Sequence, residues 1–452
     1  MTLAHATISI DHLMAHGFTQ RHANAQLVSI EKAYSYISAF IQIPFEQLSC
    51  YWVPGVLNVA GKHTDYAGGS SLNAPIDLGI NFLSAPREDH FVQLFTSSDD
   101  TVIININEPL NTETADWSDY CRKVMKRIQD DFQVTLKGVN ISFDSQIPSG
   151  AGMAASSSLI CGFFKILVEV NQLETHPIYQ KYLNTPEAIA TYLGCIEYDH
   201  SFIGRSDHLG AEIFGGCEQY AAMVCAGGNG FLESQFRPLV LGNHILMPKG
   251  YSLVIGTTGV TTKVKHGAVS HLKNTVKIAS MIAEIWRQET GKSHKHLGEI
   301  LDNDLESETF LRDVFIETDD AVYTRDELSK RFEHFVSEHT QIVPAVISGL
   351  MRSCFNEVGL QLDRSHKLAN LLLSNHVPQT NCLYETAKDH GALVVNTTGS
   401  GFGSSVWAII ESNNASLFLE QWQLGYETNF PDQKELALFL ETAIAPSFLR
   451  LQ

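Results

Sequence analysis

The sequence predicts an α+β fold in two lobes. Short β-like apolar runs and helix-period patterns are mixed along the chain without regular βαβ alternation, which argues against a doubly wound parallel sheet. Helical patterns dominate from residue 264 to 353, after a first half richer in strands. The length of 452 residues suits two or three domains. The expected division is an N-terminal helical arm over 1–45, a first domain over 46–245 and a second over 246–452, with the boundary near 235–250.

Within the arm, 24–40 sets Leu27, Ile30, Ala33, Tyr36 and Ile37 at near-helical spacing. From Cys50 the pattern turns to short β-like runs, Trp52-Val53 and then Leu57 to Ala60 after Pro54-Gly55. Further strands are expected at 91–95, 101–106, 136–143, 253–257, 394–396 and 406–410. Residues 117–130 read as a helix. So does the stretch after Gly152, where Leu159, Phe163, Ile166, Leu167 and Val170 share one side. The acidic segment 299–338 interleaves Asp and Glu with Leu, Phe and Val at helical spacing, as solvated outer helix faces do.

Composition excludes several classes. Hydrophobic residues at 44% and charged residues at 18% are globular values and exclude a disordered chain. A formal net charge of −19 disfavours a general binder of nucleic acid or of anionic membranes, which are held by Lys and Arg. No run reaches the roughly 18 apolar residues of a membrane helix. The N-terminus has no Lys or Arg before Arg21 and lacks the apolar core of a signal peptide, so a cytoplasmic location is expected. The eight cysteines form no C-x-x-C pair or zinc spacing and read as buried thiols.

Three glycine-rich stretches carry the chemistry. The first is Pro54-Gly55-Val56-Leu57-Asn58-Val59-Ala60-Gly61-Lys62-His63-Thr64-Asp65-Tyr66-Ala67-Gly68-Gly69. A β run ends at a glycine there, and Lys62, His63 and Asp65 follow as groups able to converge on a polar small molecule, or to form a plain polar turn. The second, Pro148-Ser149-Gly150-Ala151-Gly152-Met153-Ala154-Ala155-Ser156, opens directly into a helix. Small residues there leave the first N–H groups uncovered, and these favour an anion. A serine in the first turn can ligate a metal that bridges phosphates; tight packing of the helix start is the other reading. The third is Thr397-Thr398-Gly399-Ser400-Gly401-Phe402-Gly403-Ser404-Ser405. Glu289-Thr290-Gly291-Lys292-Ser293 imitates the end of a Walker A loop, but Trp286 occupies the position of its first glycine, and no G-x-G-x-x-G opens a helix after a strand.

In this order and at these separations the three stretches resemble the GHMP small-molecule kinases, and within them the galactokinases. The first is similar to P-G-R-x-N-x-x-G-E-H-T-D-Y-x-G-G, the second to P-x-G-x-G-L-x-S-S, the third to T-G-x-G-F-G-G. Weaker likenesses lie between: Trp117-Ser118-Asp119-Tyr120 to W-x-N-Y, Gly215-Gly216-Cys217-Glu218-Gln219 to G-I-M-D-Q, and Val264-Lys265-His266 with Asn274 to V-K-H…Y-N. The resemblance spans about residues 25–410. It implies a ribosomal protein S5 domain 2-like N-terminal lobe and a ferredoxin-like C-terminal lobe with extra helices. It also implies ATP-dependent phosphorylation of a monosaccharide, at the anomeric C1 hydroxyl, in a monomer or homodimer whose partners are a sugar and ATP.

Carried over residue by residue, the resemblance puts ATP on Trp117 and on Ser149, Gly150, Ala151, Gly152, Met153, Ala154, Ala155 and Ser156. It puts Mg²⁺ on Ser156 and Glu197, and the acceptor on His63, Asp65, Gly215 and Lys273. Glu218 becomes the proton acceptor, with Asp207 as its rival. The departures lie on the sugar side. Val56 stands at a catalytic arginine, Lys62 at a sugar-contacting glutamate, Glu218 at the catalytic aspartate and Lys273 at a tyrosine. Lys62 then has three readings: a partner for an anionic acceptor such as a uronic acid or sugar phosphate, a catalytic cation toward the transferring phosphoryl group, or a solvent-facing lysine. The departures leave open an acceptor other than galactose, a non-catalytic sugar sensor, and a kinase for another small alcohol.

Overall fold

The computed structural model describes residues 8–96, 101–112, 116–198, 217–260, 262–317 and 322–452. The strands, in chain order, are β1 (Ser49–Ala60), β2 (Ser70–Pro86), β3 (Phe91–Phe95), β4 (Thr101–Asn105), β5 (Val139–Ser145), β6 (Gly230–Gln235), β7 (Val240–Leu246), β8 (Tyr251–Gly256), β9 (Val394–Thr397), β10 (Val406–Glu411), β11 (Phe439–Thr442) and β12 (Leu449–Arg450). They form two sheets. The first runs β12-β1-β2-β5-β3-β4, and β6 joins β2 beyond β5 and carries β7. Its pairings are antiparallel except β3 with β5, which is parallel and crosses over through β4 and the helix Asp119–Phe132. The second sheet, β11-β8-β10-β9, is antiparallel throughout.

β1 is buried along nearly its whole length, so it shows no polar alternation. Pro54 interrupts it, and the register with β2 shifts between Pro54 and Gly55, where a missing N–H is tolerated. The helix Ala155–Val170 lies across β1 and β2. Phe163 meets Phe82 and Phe143 edge-on there, at 5.7 and 5.9 Å between ring centroids. The arm consists of two helices, Ile10–Ala15 and Gln20–Ser38, the second started by Thr19. It docks on the first sheet through buried polar groups: Gln26 Nε2 donates to the Asp77 carbonyl (2.9 Å) and to Gln26 Oε1 comes the Asn81 amide (2.7 Å).

In the second half, Thr262–Thr290, Leu297–Asn303, Ser307–Glu317 and Arg325–Val336 pack around Trp286, Phe332 and Phe335, and that core includes Tyr66 and Ala67 from the first lobe. The Walker-like Gly291 sits just past the C-terminus of the first of these helices, at φ +68°. No described helix is long and apolar enough to cross a membrane.

The expected strands and helices are present within a few residues at each end. The 17-residue β2 was not expected: buried on both faces and mixing Asn73, Asp77 and Asn81 with apolar residues, it has neither alternation nor an apolar run. The chain's last strand, β12, returns to pair with β1, so residues 449–450, assigned to the second domain, lie in the first sheet.

Gly162 offers a check on the packing of the helix Ala155–Val170. Gly→Ala inside a helix ordinarily stabilises by up to about 1 kcal/mol. Here the new Cβ would lie 2.4 Å from the Phe82 ring. Gly162→Ala is therefore expected to lower stability, by about 1–3 kcal/mol in urea unfolding.

Candidate active site

The helix Ala155–Val170 begins without a side-chain cap. Its N-cap is Ala154, in the left-handed region at φ +60°, and Gly150 and Gly152 lie there too, at +70° and +73°. Alternating backbone hand turns successive N–H groups into one concavity, and the helix dipole adds positive potential. Ser149 and Gly150 are exposed, and Gly152, Ala154, Ala155 and Ser156 are half-buried. Ala151 and Met153 are buried and hold the loop in place. The Ala151 carbonyl accepts from Ser405 N (3.1 Å) and Oγ (2.7 Å), and the Met153 carbonyl from Val56 N (3.2 Å). Gly152 packs back to back with Gly399: a Cβ on Gly399 would come 2.9 Å from the Gly152 Cα. Trp117, half-buried, stands edge-on to Phe143 at 5.3 Å, just ahead of the helix Asp119–Phe132.

Glu197, the last residue of the helix Pro186–Glu197, gathers three hydroxyls. Ser156 Oγ donates to its Oε1 (2.9 Å), while Ser157 Oγ and the Tyr220 hydroxyl donate to Oε2 (both 2.8 Å). Tyr220 is fully buried on the helix Cys217–Cys225, two residues after Glu218. That short helix therefore ties Glu197 to Glu218.

Glu218 Oε2 accepts from Asn58 Nδ2 at 3.2 Å, and Asn58 Nδ2 also reaches Asn73 Oδ1 at 3.2 Å. Burial, and after it the charge of Asp65, push Glu218 well above the usual carboxylate range, against hydrogen bonds from Asn58 and Ser71. Asp65 starts the 3₁₀ turn Asp65–Ala67 and is 6% exposed. His63 has φ +56°, and its Nε2 lies 3.3 Å from Asn375 Nδ2. Burial first, then Arg331 and Lys62, hold its pKa down at about 3, so the ring is neutral.

Lys62 is 3% exposed, which removes the solvent-facing reading. Its Nζ donates to Asn396 Oδ1 (2.6 Å) and to Thr397 Oγ1 on β9. Burial pulls its pKa down to about 8, and the Glu338 carboxylate opposes the fall. Glu338 belongs to the acidic segment expected to face solvent; it is instead fully buried, in a π-helical turn Ser337–Ile342.

One cavity of about 700 Å³ joins these groups; Asn58, Lys62, His63, Asp65, Glu197 and Glu218 line it, with Lys273, Lys277 and Lys123. Lys273 and Lys277, one turn apart on Thr262–Thr290, are exposed on its wall. Gly215 and Asp207 lie outside the described residues. Asn58, Tyr220, Arg331, Glu338 and Asn396 were not singled out from sequence. Only Asn58 lay in a motif; the rest meet the site from up to 334 residues away, as Asn396 meets Lys62.

Family models match the chain in three places: the galactokinase galactose-binding signature over 44–86, the GHMP kinase N-terminal domain over 119–192 and the GHMP kinase C-terminal domain over 346–428. These stretches contain the signature turn, the uncapped helix and the strands facing them. The chain is thus similar to the GHMP kinases in both of its halves. A galactokinase of Lactobacillus helveticus is 24% identical over 398 residues, covering 84% of this chain and 92% of that one. The crystal structure of Lactococcus lactis galactokinase complexed with galactose superposes with a TM-score of 0.73 at 20% identity, over 93% of this chain and all of that one. Methanococcus jannaschii mevalonate kinase gives 0.57 at 13% identity, over 89% and 99%. These likenesses establish the two-lobed GHMP fold.

The buried Lys62 is expected to titrate at about 8, against 10.5 for an unperturbed lysine. ¹⁵N NMR of its Nζ checks this; a midpoint at 10.5 would place the amine in water.

Proposed function

We propose that the protein phosphorylates a monosaccharide with ATP, at the anomeric C1 hydroxyl, in the cytoplasm. The observation that carries this reading is the single cavity lined by a carboxylate of raised pKa, Glu218, and by Glu197, whose Oε1 accepts the Ser156 hydroxyl. The galactose-binding signature over 44–86 and the galactokinase relatives support a sugar as acceptor.

Phosphoryl transfer needs positioning and charge neutralisation more than covalent help. The loop 149–156 offers its free N–H groups to the ATP phosphates. Ser156 Oγ and Glu197 Oε1, 2.9 Å apart, form an oxygen donor set of the kind Mg²⁺ takes, and these two residues would hold that ion. Bound there, the ion would neutralise charge on the phosphates. Tyr220 and Ser157 keep the carboxylate oriented. Lys123, Lys273 and Lys277 add positive charge along the wall.

On the acceptor side, Asp65 and His63 bind ring hydroxyls and Glu218 takes the proton of the attacking one. A base whose pKa burial raises above the usual carboxylate range suits this work better than an ordinary carboxylate. Asn58 holds Glu218 in orientation. A second reading, binding without transfer, is favoured by one observation. Val56, at the family's arginine position, is a buried β1 residue whose N–H serves Met153, so no cation projects from there.

ADP release with MgATP across neutral hexoses, pentoses, amino sugars and uronic acids tests the reading. Turnover on a subset is expected, and Glu218→Gln should lose about 10²–10⁴-fold in kcat with ATP affinity kept. ATP binding without turnover on any sugar would favour the second reading. The pH profile should be bell-shaped. Activity rises as Glu218 ionises, above the normal carboxylate range. It falls near pH 8 as Lys62 loses the proton it carries below that pH. Lys62→Met, which lacks that charge at every pH, should show no alkaline limb and stay at the low activity the wild type reaches above pH 8.

A further inference from the structure

A lysine at position 62, where the galactokinase pattern that the sequence resembles has a glutamate, suggests on its own an anionic acceptor. The structure contains a countercharge that the sequence does not reveal. The Glu338 carboxylate enters from the second lobe beneath the signature turn. Its Oε2 accepts the Gly61 N–H at 3.0 Å, and the carboxylate also accepts the Lys62 N–H. Its Oε1 accepts from Ser365 Oγ. Glu338 is thus fixed by three donors with no exposed surface, and it attracts the Lys62 ammonium. That ammonium is drawn toward β9 by Asn396 and Thr397. Neither group is free to turn toward a ligand without leaving the other buried and uncompensated.

We propose that Glu338 is a specificity-determining residue, holding Lys62 in a buried, charge-balanced unit across the two lobes, so that the acceptor is a sugar without an anionic group. This rests on the sugar-kinase reading above.

The other charged groups around the unit agree. His63, His334, His366 and His376 face Lys62 and are all pushed down by burial, His63 and His376 to about 3 and His366 to about 2, so they carry no charge at neutral pH. Arg331, 2% exposed, donates to the His63 carbonyl and to the Tyr66 hydroxyl (3.2 Å) and lies 5.3 Å over the Tyr66 ring. The floor then holds two cations, Lys62 and Arg331, against Glu338, Asp65 and Glu218. Its sum is −1 with Glu218 ionised and zero with it protonated, and neither value invites a second carboxylate or a phosphate. The wall lysines do add positive charge, but MgATP is the anion that the reaction already brings to them.

The test is calorimetric binding, with MgADP present, of a neutral hexose and of the uronic acid that differs from it only at C6. At pH 6.5 Lys62 keeps its proton. The wild type is expected to bind the neutral sugar at least about tenfold more tightly. Glu338→Gln leaves the lysine charge uncompensated and should shrink that preference about tenfold or more. Lys62→Met/Glu338→Gln removes both charges and should restore it, which also separates charge from a packing defect. Tighter binding of the uronic acid by the wild type would overturn the proposal. An unchanged preference in Glu338→Gln would overturn the role of Glu338. Neutral-sugar binding without turnover would instead sink the kinase reading and leave this one standing. Binding of neither sugar would overturn both.

Discussion

The Ala151 carbonyl accepts two hydrogen bonds from Ser405, and Gly152 stacks on Gly399 beside it. This contact turns two lobes into one site. A helix N-terminus left without a cap is a weak point unless something outside the helix fixes the loop before it. Here the second lobe does so. Ser405 and Gly399 flank the turn between β9 and β10, and the residues that anchor Lys62, Asn396 and Thr397, end β9. The same few residues therefore position the loop 149–156 and the floor around Lys62.

Electrostatics within this frame are set by burial more than by surface charge. The chain carries −19 overall, yet the charges that matter are a handful withdrawn from water: Lys62, Arg331, Glu338, Asp65 and Glu218. In a low-dielectric interior each must be answered by a neighbour. Lys62 is answered by Glu338, and Arg331 by a carbonyl, a phenol and an aromatic face. Glu218 has Asn58 and Ser71, but burial first and then Asp65 outweigh them and raise its pKa well above the usual carboxylate range. A buried lysine that would be costly in isolation is absorbed at position 62 because its compensation comes from another lobe.

Much of the fold was legible in sequence wherever a segment had a strong period. The helices starting near Gln20 and Ala155 and the strands β3, β9 and β10 follow from their apolar spacing. β2 was not legible, because burial on both faces erases alternation. The glycine stretches announced the loop at 149–156 and the turn at 61–68, since only backbone freedom explains so many small residues together. The partners of that turn were hidden. Glu338 looked like one more acidic residue on a solvated helix, and nothing local marks it: its burial arises from a π-helical turn and from a loop 277 residues earlier in the chain. Asn396 and Thr397 likewise read only as the end of a strand. Sequence gave Lys62 three meanings, and tertiary packing removed the solvent-facing one.

The central claim is that Glu218 and the Ser156–Glu197 pair serve a single transfer within one cavity. A crystal structure with Mg²⁺, a non-hydrolysable ATP analogue and the preferred sugar tests it most directly. The account predicts a metal ion bound by Ser156 Oγ and Glu197, the triphosphate on the loop 149–156, and one sugar hydroxyl within about 3.2 Å of the Glu218 carboxylate, facing the terminal phosphate. A sugar bound away from Glu218, or a triphosphate held elsewhere than on that loop, would contradict it.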